Sequence, residues 1–193
     1  MLQIEELATC IRVYKKVLDA TRFIDLLEDS IANDFGSDLS WTPSLVGDGK
    51  TGQYRTSLSC MMTTLLPPYK DETELSSEFR TSVYKPAINA VNDYCVEFML
   101  ANGASELISI LKYSGHAEDH AHHDHHPDNR RTFSLVAFLN DPEEGGHLEF
   151  PYFGVTVNPS AGDVVLFPAN FPYTHIAHPV TKGVKYSMVT WFQ

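Results

Sequence analysis

The feature that most constrains this chain is a change of hydrophobic period near residue 105. After Ser105 the apolar residues fall into short runs at 107–113, 132–139, 147–150, 154–157, 163–167, 174–177 and 185–192. Asn140-Asp141-Pro142, Gly145-Gly146, Pro159-Ser160-Ala161-Gly162 and Lys182-Gly183 stand between them. Such residues set turns: glycine supplies positive φ, proline fixes φ, and Asn or Asp side chains bond their own backbone. Runs this short, punctuated this often, do not fit helices. They predict an antiparallel sandwich or jelly roll.

Before residue 105 the period is helical. Phe23, Ile24, Leu27, Ile31 and Phe35 follow the 3.6-residue spacing, with Asp19 or Thr21 as candidate N-cap and Gly36 just past the end. A longer amphipathic helix is predicted over 79–100 from Val83, Ile88, Val91, Tyr94, Cys95, Phe98 and Met99, with Pro86 marking a start or a kink and Gly103 a stop. Residues 11–17 and 54–61 read as strands, 43–52 and 67–74 as loops. The expected fold class is α+β: one domain over 1–193, in which 1–105 supplies helices packed on one sheet and 106–193 forms a jelly-roll core.

Composition narrows the function classes. Fourteen Lys and Arg stand against 25 Asp and Glu, a net charge of −11 with histidine neutral. That balance repels phosphate backbones and anionic headgroups, which argues against nucleic acid or a membrane surface as the main partner. Apolar runs are far shorter than the roughly 20 residues that span a bilayer. Glu5 and Glu6 stand where a signal peptide would carry basic and then apolar residues, so a cytoplasmic location is expected. Cys10, Cys60 and Cys95 are odd in number and unpatterned, which predicts reduced core thiols and no disulfide framework. Histidine is the anomaly: nine in all, five of them at His120, His122, His123, His125 and His126.

A non-haem iron site with open positions needs two imidazoles and one carboxylate on one face of the metal. His122-His123-Asp124 offers an H-x-D, whose outer residues share a side if the segment is an extended strand. His175 can supply the third group from a later strand, and Lys185 opens the last strand ten residues on. The cluster also permits His120-x-His122, His116-x-Glu118 and His147-x-Glu149 as alternatives. The remaining clustered histidines read as a solvated loop, and His178 as a strand or turn residue.

The ordered set Tyr113-x-Gly115, His122-x-Asp124, Arg131-Thr132, Leu139-Asn140-Asp141, Gly145-Gly146-His147-Leu148-Glu149-Phe150, Ala161-Gly162-Asp163, Phe167-Pro168 and His175 through Pro179-Val180 and Gly183 to Lys185 resembles the iron(II)/2-oxoglutarate-dependent dioxygenases, in particular the prolyl 4-hydroxylase branch. The resemblance covers about 110–193 and implies a double-stranded β-helix. It implies that His122, Asp124 and His175 are the catalytic Fe(II) ligands. It implies that Lys185 binds the distal carboxylate of 2-oxoglutarate and that Tyr113 bonds the same cosubstrate. By strand alternation Lys185, Ser187, Val189 and Trp191 share a face, so Ser187 can reach that carboxylate and Trp191 can line the pocket or belong to the core. The implied reaction consumes O2 and 2-oxoglutarate and hydroxylates a C–H bond of a proline-containing peptide or protein, with room for ascorbate as reductant.

The chain departs from the family in two ways. Asp119 stands where an aromatic residue is usual, three before the first iron histidine, and the loop from Asp141 to Gly146 is short. Lysine at 185 resembles the collagen-type prolyl hydroxylases. Residues 1–105 share only general character with the family, so substrate choice is expected there. Arg130 or Arg131 is a candidate for substrate contact at the mouth. The alternatives are an oxygenase acting on another residue or a small metabolite, and a cupin-like metal-binding module without turnover. The cupin reading lacks a histidine about three residues after Gly162 and leaves Lys185 unexplained.

Overall fold

The structure is a computed structural model that describes residues 2–33, 39–45, 54–62, 65, 73–101, 105–128 and 130–193. In chain order its strands are β1 (Gln3–Ala8), β2 (Ile11–Lys15), β3 (Thr42–Pro43), β4 (Leu58–Met61), β5 (Ser109–Tyr113), β6 (Asp119–His122), β7 (Phe133–Phe138), β8 (Glu144–Gly145), β9 (Leu148–Phe150), β10 (Val155–Val157), β11 (Val164–Pro168), β12 (His175–Ala177), β13 (Val180–Lys182) and β14 (Lys185–Phe192). The helices are α1 (Thr21–Ala32), α2 (Glu74–Glu78) and α3 (Lys85–Glu97), with a π-helical stretch over Phe79–Tyr84.

Two antiparallel sheets face each other. The larger runs β1-β2-β11-β7-β14-β5-β4-β3 and the smaller β10-β9-β12-β6, while β13 and β8 make a separate two-stranded ladder. This is the expected jelly roll on an α+β chain. The seven runs predicted after Ser105 appear as β5, β7, β9, β10, β11, β12 and β14, each within two residues of its expected ends.

The large sheet buries both faces, and the alternation of β14 shows how. Tyr186, Met188 and Phe192 point to the helices, where Phe23, Leu27, Phe79, Val83, Ala87, Val91 and Tyr94 cover them in one apolar cluster. Phe133 stacks on Phe192 with ring centroids 4.5 Å apart, and Phe23 meets Phe79 at 5.2 Å. The opposite face turns inward to the small sheet. There Ile11, Val13, Phe138, Val165 and Phe167 pack against Leu148, Phe150 and Val157. A buried Leu or Phe of this kind contributes roughly 1.5–3 kcal/mol through removal from water. The helices therefore cover the outer face of the large sheet.

Several local expectations need correction. α1 starts after Ala20 with no side-chain cap; the Thr21 N–H instead donates to Asp19 Oδ1 at 3.0 Å, a turn that precedes the helix. The helix expected over 79–100 is an α-helix only from Lys85 to Glu97. Pro86 has no N–H to return to the preceding turn, and the wide π turn just before it accommodates the missing bond. α2 begins separately on a Thr73–Ser76 capping box. The strand expected at 54–61 is regular only from Leu58, although Arg55 makes an isolated bridge to Asp119. Cys60 and Cys95 are buried as expected, whereas Cys10 is half-exposed in the β1–β2 turn at φ +58°. Phe35, Gly36, Gly103 and most of the loops expected at 43–52 and 67–74 lie outside the described residues; Pro43 closes β3 and Glu74 opens α2.

Candidate metal centre and cosubstrate pocket

His122 closes β6 and His175 opens β12, and the ladder pairs them directly. Their rings lie 4.3 Å apart, centroid to centroid. Asp124 is set between them, Oδ1 3.5 Å from His122 Nε2 and Oδ2 3.7 Å from His175 Nε2. Strand alternation does not bring it there, because β6 ends at His122 and the chain turns before Asp124. The turn is held by Arg131, which donates to the Asp124 carbonyl at 3.3 Å, and by the His125 N–H, which donates to the Ala169 carbonyl at 2.8 Å. Ser134 Oγ donates to Asp124 Oδ2 at 2.6 Å and fixes the carboxylate.

Both histidines present the same nitrogen. His122 Nδ1 lies 2.7 Å from the His120 carbonyl and His175 Nδ1 3.2 Å from the Tyr173 carbonyl. A carbonyl only accepts, so each Nδ1 donates its proton there and Nε2 is the nitrogen that each ring turns toward Asp124. The donor atoms of the three residues all lie within 4.8 Å of one another, close enough to share one ion. Electrostatics polarise the group. Burial alone would lower His122, but Asp124 and Asp119 outweigh it and lift the imidazole to about 9. Burial drives His175 down to about 4. Asp124 resists burial because both imidazoles and Ser134 favour its charge, and its carboxyl lies far below the usual range.

The triad opens into a pocket whose lining includes Arg55, Tyr113, Asp119, Lys185, Ser187 and Trp191. Lys185 is 2% exposed and donates to the Gly146 carbonyl at 2.8 Å, with its ammonium 4.1 Å from the Tyr113 ring centroid. Desolvation lowers this lysine to about 8 and raises Tyr113 to about 12. Gly146 must be glycine: at φ +75° an added Cβ would stand 2.9 Å from Val180 Cγ2 and 3.1 Å from Lys185 Cδ. Ser187 Oγ is buried with no hydrogen-bond partner among the described residues. Trp191 borders the pocket while its ring is covered by the Arg131 guanidinium, 3.8 Å from the centroid.

The structure thus gathers His122, Asp124, His175, Lys185, Tyr113, Ser187 and Trp191 around one cavity. It also adds Arg55, from a segment the sequence left without chemistry. Its Nε lies 3.2 Å from Asp119 Oδ2, although the N–H does not align for a hydrogen bond. Burial raises Asp119, and the charges of His122 and then Arg55 partly offset that cost. A carboxyl in place of an aromatic residue was the available signal, since a buried acid needs a counter-charge. Arg131, a candidate for substrate contact, is engaged by partners within the chain. It grips Glu106 with Nη2 at 2.7 Å and braces the Asp124 turn, whereas Arg130 is exposed. Of the other histidines, His120, His123 and His126 are exposed; His125 is half-buried and bonds the Arg131 carbonyl at 3.0 Å. His116 sits in an exposed turn, and His147 and Glu149 lie beside His178 outside this pocket.

The family model of the 2OG-Fe(II) oxygenase superfamily matches residues 108–193. The PKHD-type hydroxylase YbiX of Escherichia coli is 29% identical over 134 residues, 63% of this chain and 59% of that protein. Matches to curated relatives span between 29% and 59% of the relatives' own length. A prolyl-4-hydroxylase of Pseudomonas putida superposes with a TM-score of 0.67 at 20% identity over 95% of this chain and 92% of that one. A prolyl hydroxylase of Trichoplax adhaerens, solved with a hypoxia inducible factor peptide fragment, gives 0.68 at 13% identity over 95% and 83%. Triad and cosubstrate pocket both fall inside the matched stretch, apart from Arg55. Residues 108–193 thus match the 2OG-Fe(II) oxygenase superfamily, and the chain has the double-stranded β-helix fold of the prolyl hydroxylases.

Proposed function

We propose that this chain is an Fe(II)/2-oxoglutarate-dependent dioxygenase that hydroxylates an unactivated C–H bond, at the 4-position of a prolyl residue in a peptide or protein. One observation carries the reading. A single pocket holds two imidazoles and a carboxylate with their donor atoms converging, and also a buried ammonium and a hydroxyl that lacks a partner among the described residues.

The residues fit the groups that the family implies. Two imidazole nitrogens and one carboxylate suit Fe(II), with the remaining positions left open. Ser187 Oγ and Lys185 Nζ would satisfy a dicarboxylate's far end, which cannot be buried without donors. When bound, iron and 2-oxoglutarate supply oxygen activation coupled to release of CO2 and succinate.

The protein's part is positional. Ser134 and the Arg131-braced turn hold Asp124, and the two backbone carbonyls hold the imidazole tautomers. Lys185 and Ser187 anchor the cosubstrate, with Tyr113 stacked against the ammonium. Leu135, Val136, Phe138, Leu148 and Val189 give the cavity apolar walls that exclude water. A target C–H held near the ion needs no proton relay, so orientation dominates. The peptide part of the proposal draws support from the Trichoplax neighbour, whose structure contains a peptide. Ascorbate enters only as a reductant that sustains turnover.

The test is anaerobic addition of Fe(II) and 2-oxoglutarate, read by the visible metal-to-ligand charge-transfer band, then oxygen exposure with a succinate assay on proline-containing peptides. A band with peptide-stimulated succinate and hydroxyproline is expected. A band with succinate stimulated only by other substrates would retain the oxygenase and overturn the prolyl assignment. No band with the folded protein would overturn both.

A further inference from the structure

The small sheet has an outer face that the oxygenase reading does not use. On β9, Leu148 and Phe150 are buried against the core, so His147 and Glu149 on either side of Leu148 point outward. β12 runs antiparallel to β9 with Glu149 opposite Ile176 and Leu148 opposite Ala177. The next pair in that register is His147 opposite His178, and the His178 N–H donates to the His147 carbonyl at 2.9 Å. The Gly146 N–H donates to the Pro179 carbonyl at 2.9 Å just beyond. Two strand ends are therefore locked together at the point where three metal-ligating side chains emerge.

We propose that His147, Glu149 and His178 form a second metal site, for a divalent transition ion such as Zn2+, clamping β9 to β12 on the outside of the roll. The donor atoms all lie within 4.8 Å of one another. His178 Nε2 is 2.5 Å from Glu149 Oε2, and the His147 and His178 rings stack at 4.0 Å with 19° between their planes. A His–Glu hydrogen bond alone would account for two of these residues. It gives no reason for a second imidazole on the same spot. Zn2+ takes nitrogen and oxygen donors at about 2.0–2.2 Å, so donors sharing one ion stand roughly 3.4 Å apart. Donor atoms that already lie within 4.8 Å of one another need only side-chain rotation to take up that spacing, and half-exposed rings have the freedom for it. Two nitrogens and one oxygen, with water completing the shell, are a borderline donor set that suits Zn2+ better than Mg2+ or Ca2+.

The site is separate from the triad. His175 points inward from β12 and His178 outward just past its end, so neither site borrows a ligand from the other.

The test is equilibrium dialysis of the full chain against micromolar Zn2+ followed by metal analysis. H178Q and E149Q are compared with the unaltered chain, and circular dichroism confirms folding. H147N replaces either variant if it fails to fold. Both should hold one equivalent of Zn2+ fewer than the unaltered chain, while H122A/D124A, which disables the triad, should keep the equivalent that they lose. Equal Zn2+ content in H178Q, E149Q and the unaltered chain would overturn the site. So would complete loss of bound Zn2+ in folded H122A/D124A.

Discussion

Lys185 and Tyr113 stand directly opposite each other across β14 and β5, and the ammonium lies 4.1 Å from the phenol ring's centroid. A ring face and one carbonyl, that of Gly146, are poor company for a buried full charge. The place is suited to an incoming carboxylate. A hydrogen bond to a charged group is worth about 1.5–3 kcal/mol. Lys185→Ala should therefore raise the KM for 2-oxoglutarate by about 10–100-fold, measured by succinate formation at saturating peptide. The free lysine sits near 8 and needs its proton to bind a dicarboxylate, so affinity falls as pH rises through that value. Lys185→Arg, which keeps its charge, should lose this pH dependence.

Removing the Ser134 hydroxyl tests how far the carboxylate depends on being aimed. Ser134→Ala deletes the 2.6 Å bond to Asp124 Oδ2 without touching a metal donor. Outer partners of this kind are worth about 10–100-fold in metal affinity. Fe(II) affinity in an anaerobic titration should fall within that range, with an unchanged KM for 2-oxoglutarate at saturating iron.

Asp119 should leave its mark on the pH profile of metal uptake. His122 lies near 9, in part because Asp119 stabilises its proton, so metal binding at neutral pH displaces that proton. Affinity then climbs with pH until His122 is neutral. Asp119→Asn removes one of the charges holding the proton. The climb should level off at lower pH, seen as a shifted midpoint in Co2+ titrations across a pH series.

Arg131 is a stability residue beside the proposed metal ligand Asp124. It stacks on Trp191, pairs with Glu106 and holds the Asp124 carbonyl. The group is partly exposed, so Arg131→Ala should cost about 1–3 kcal/mol in urea unfolding. Lysine should not restore it, because it lacks the planar fork. Glu106 resists burial through its bonds to Arg131 and Gln193 and lies below its ordinary 4.5. Its contribution is present above that value and lost as pH falls through the lower folded-state value. The acid sensitivity of unfolding should be smaller in Arg131→Ala.

Much of this was legible in the order of residues, for identifiable reasons. β14 buries both faces, yet its period of two still assigned Lys185, Ser187 and Trp191 to one side. Turn chemistry located β5, β7 and β9 to β12, because Gly145 and Gly162 occupy positive φ that other residues rarely adopt. β1 escaped notice because an exposed edge strand, Gln3–Ala8, carries no apolar alternation. Asp124 was placed correctly beside His122 for the wrong geometric reason, since the turn and not the strand delivers it. Arg55 could not be found by any local rule: its isolated bridge to Asp119 joins residues far apart in the chain.

That bridge bears on what could be transplanted. Residues 108–193 hold the proposed metal ligands, but Arg55 enters their cavity from outside that stretch, β4 seals the flank of β5, and the helices cover Tyr186, Met188 and Phe192. Excised by itself, that stretch would carry a greasy outer wall into water and deprive Asp119 of the Arg55 charge. The smallest portable catalytic unit is therefore larger than the stretch by which its kinship is recognised.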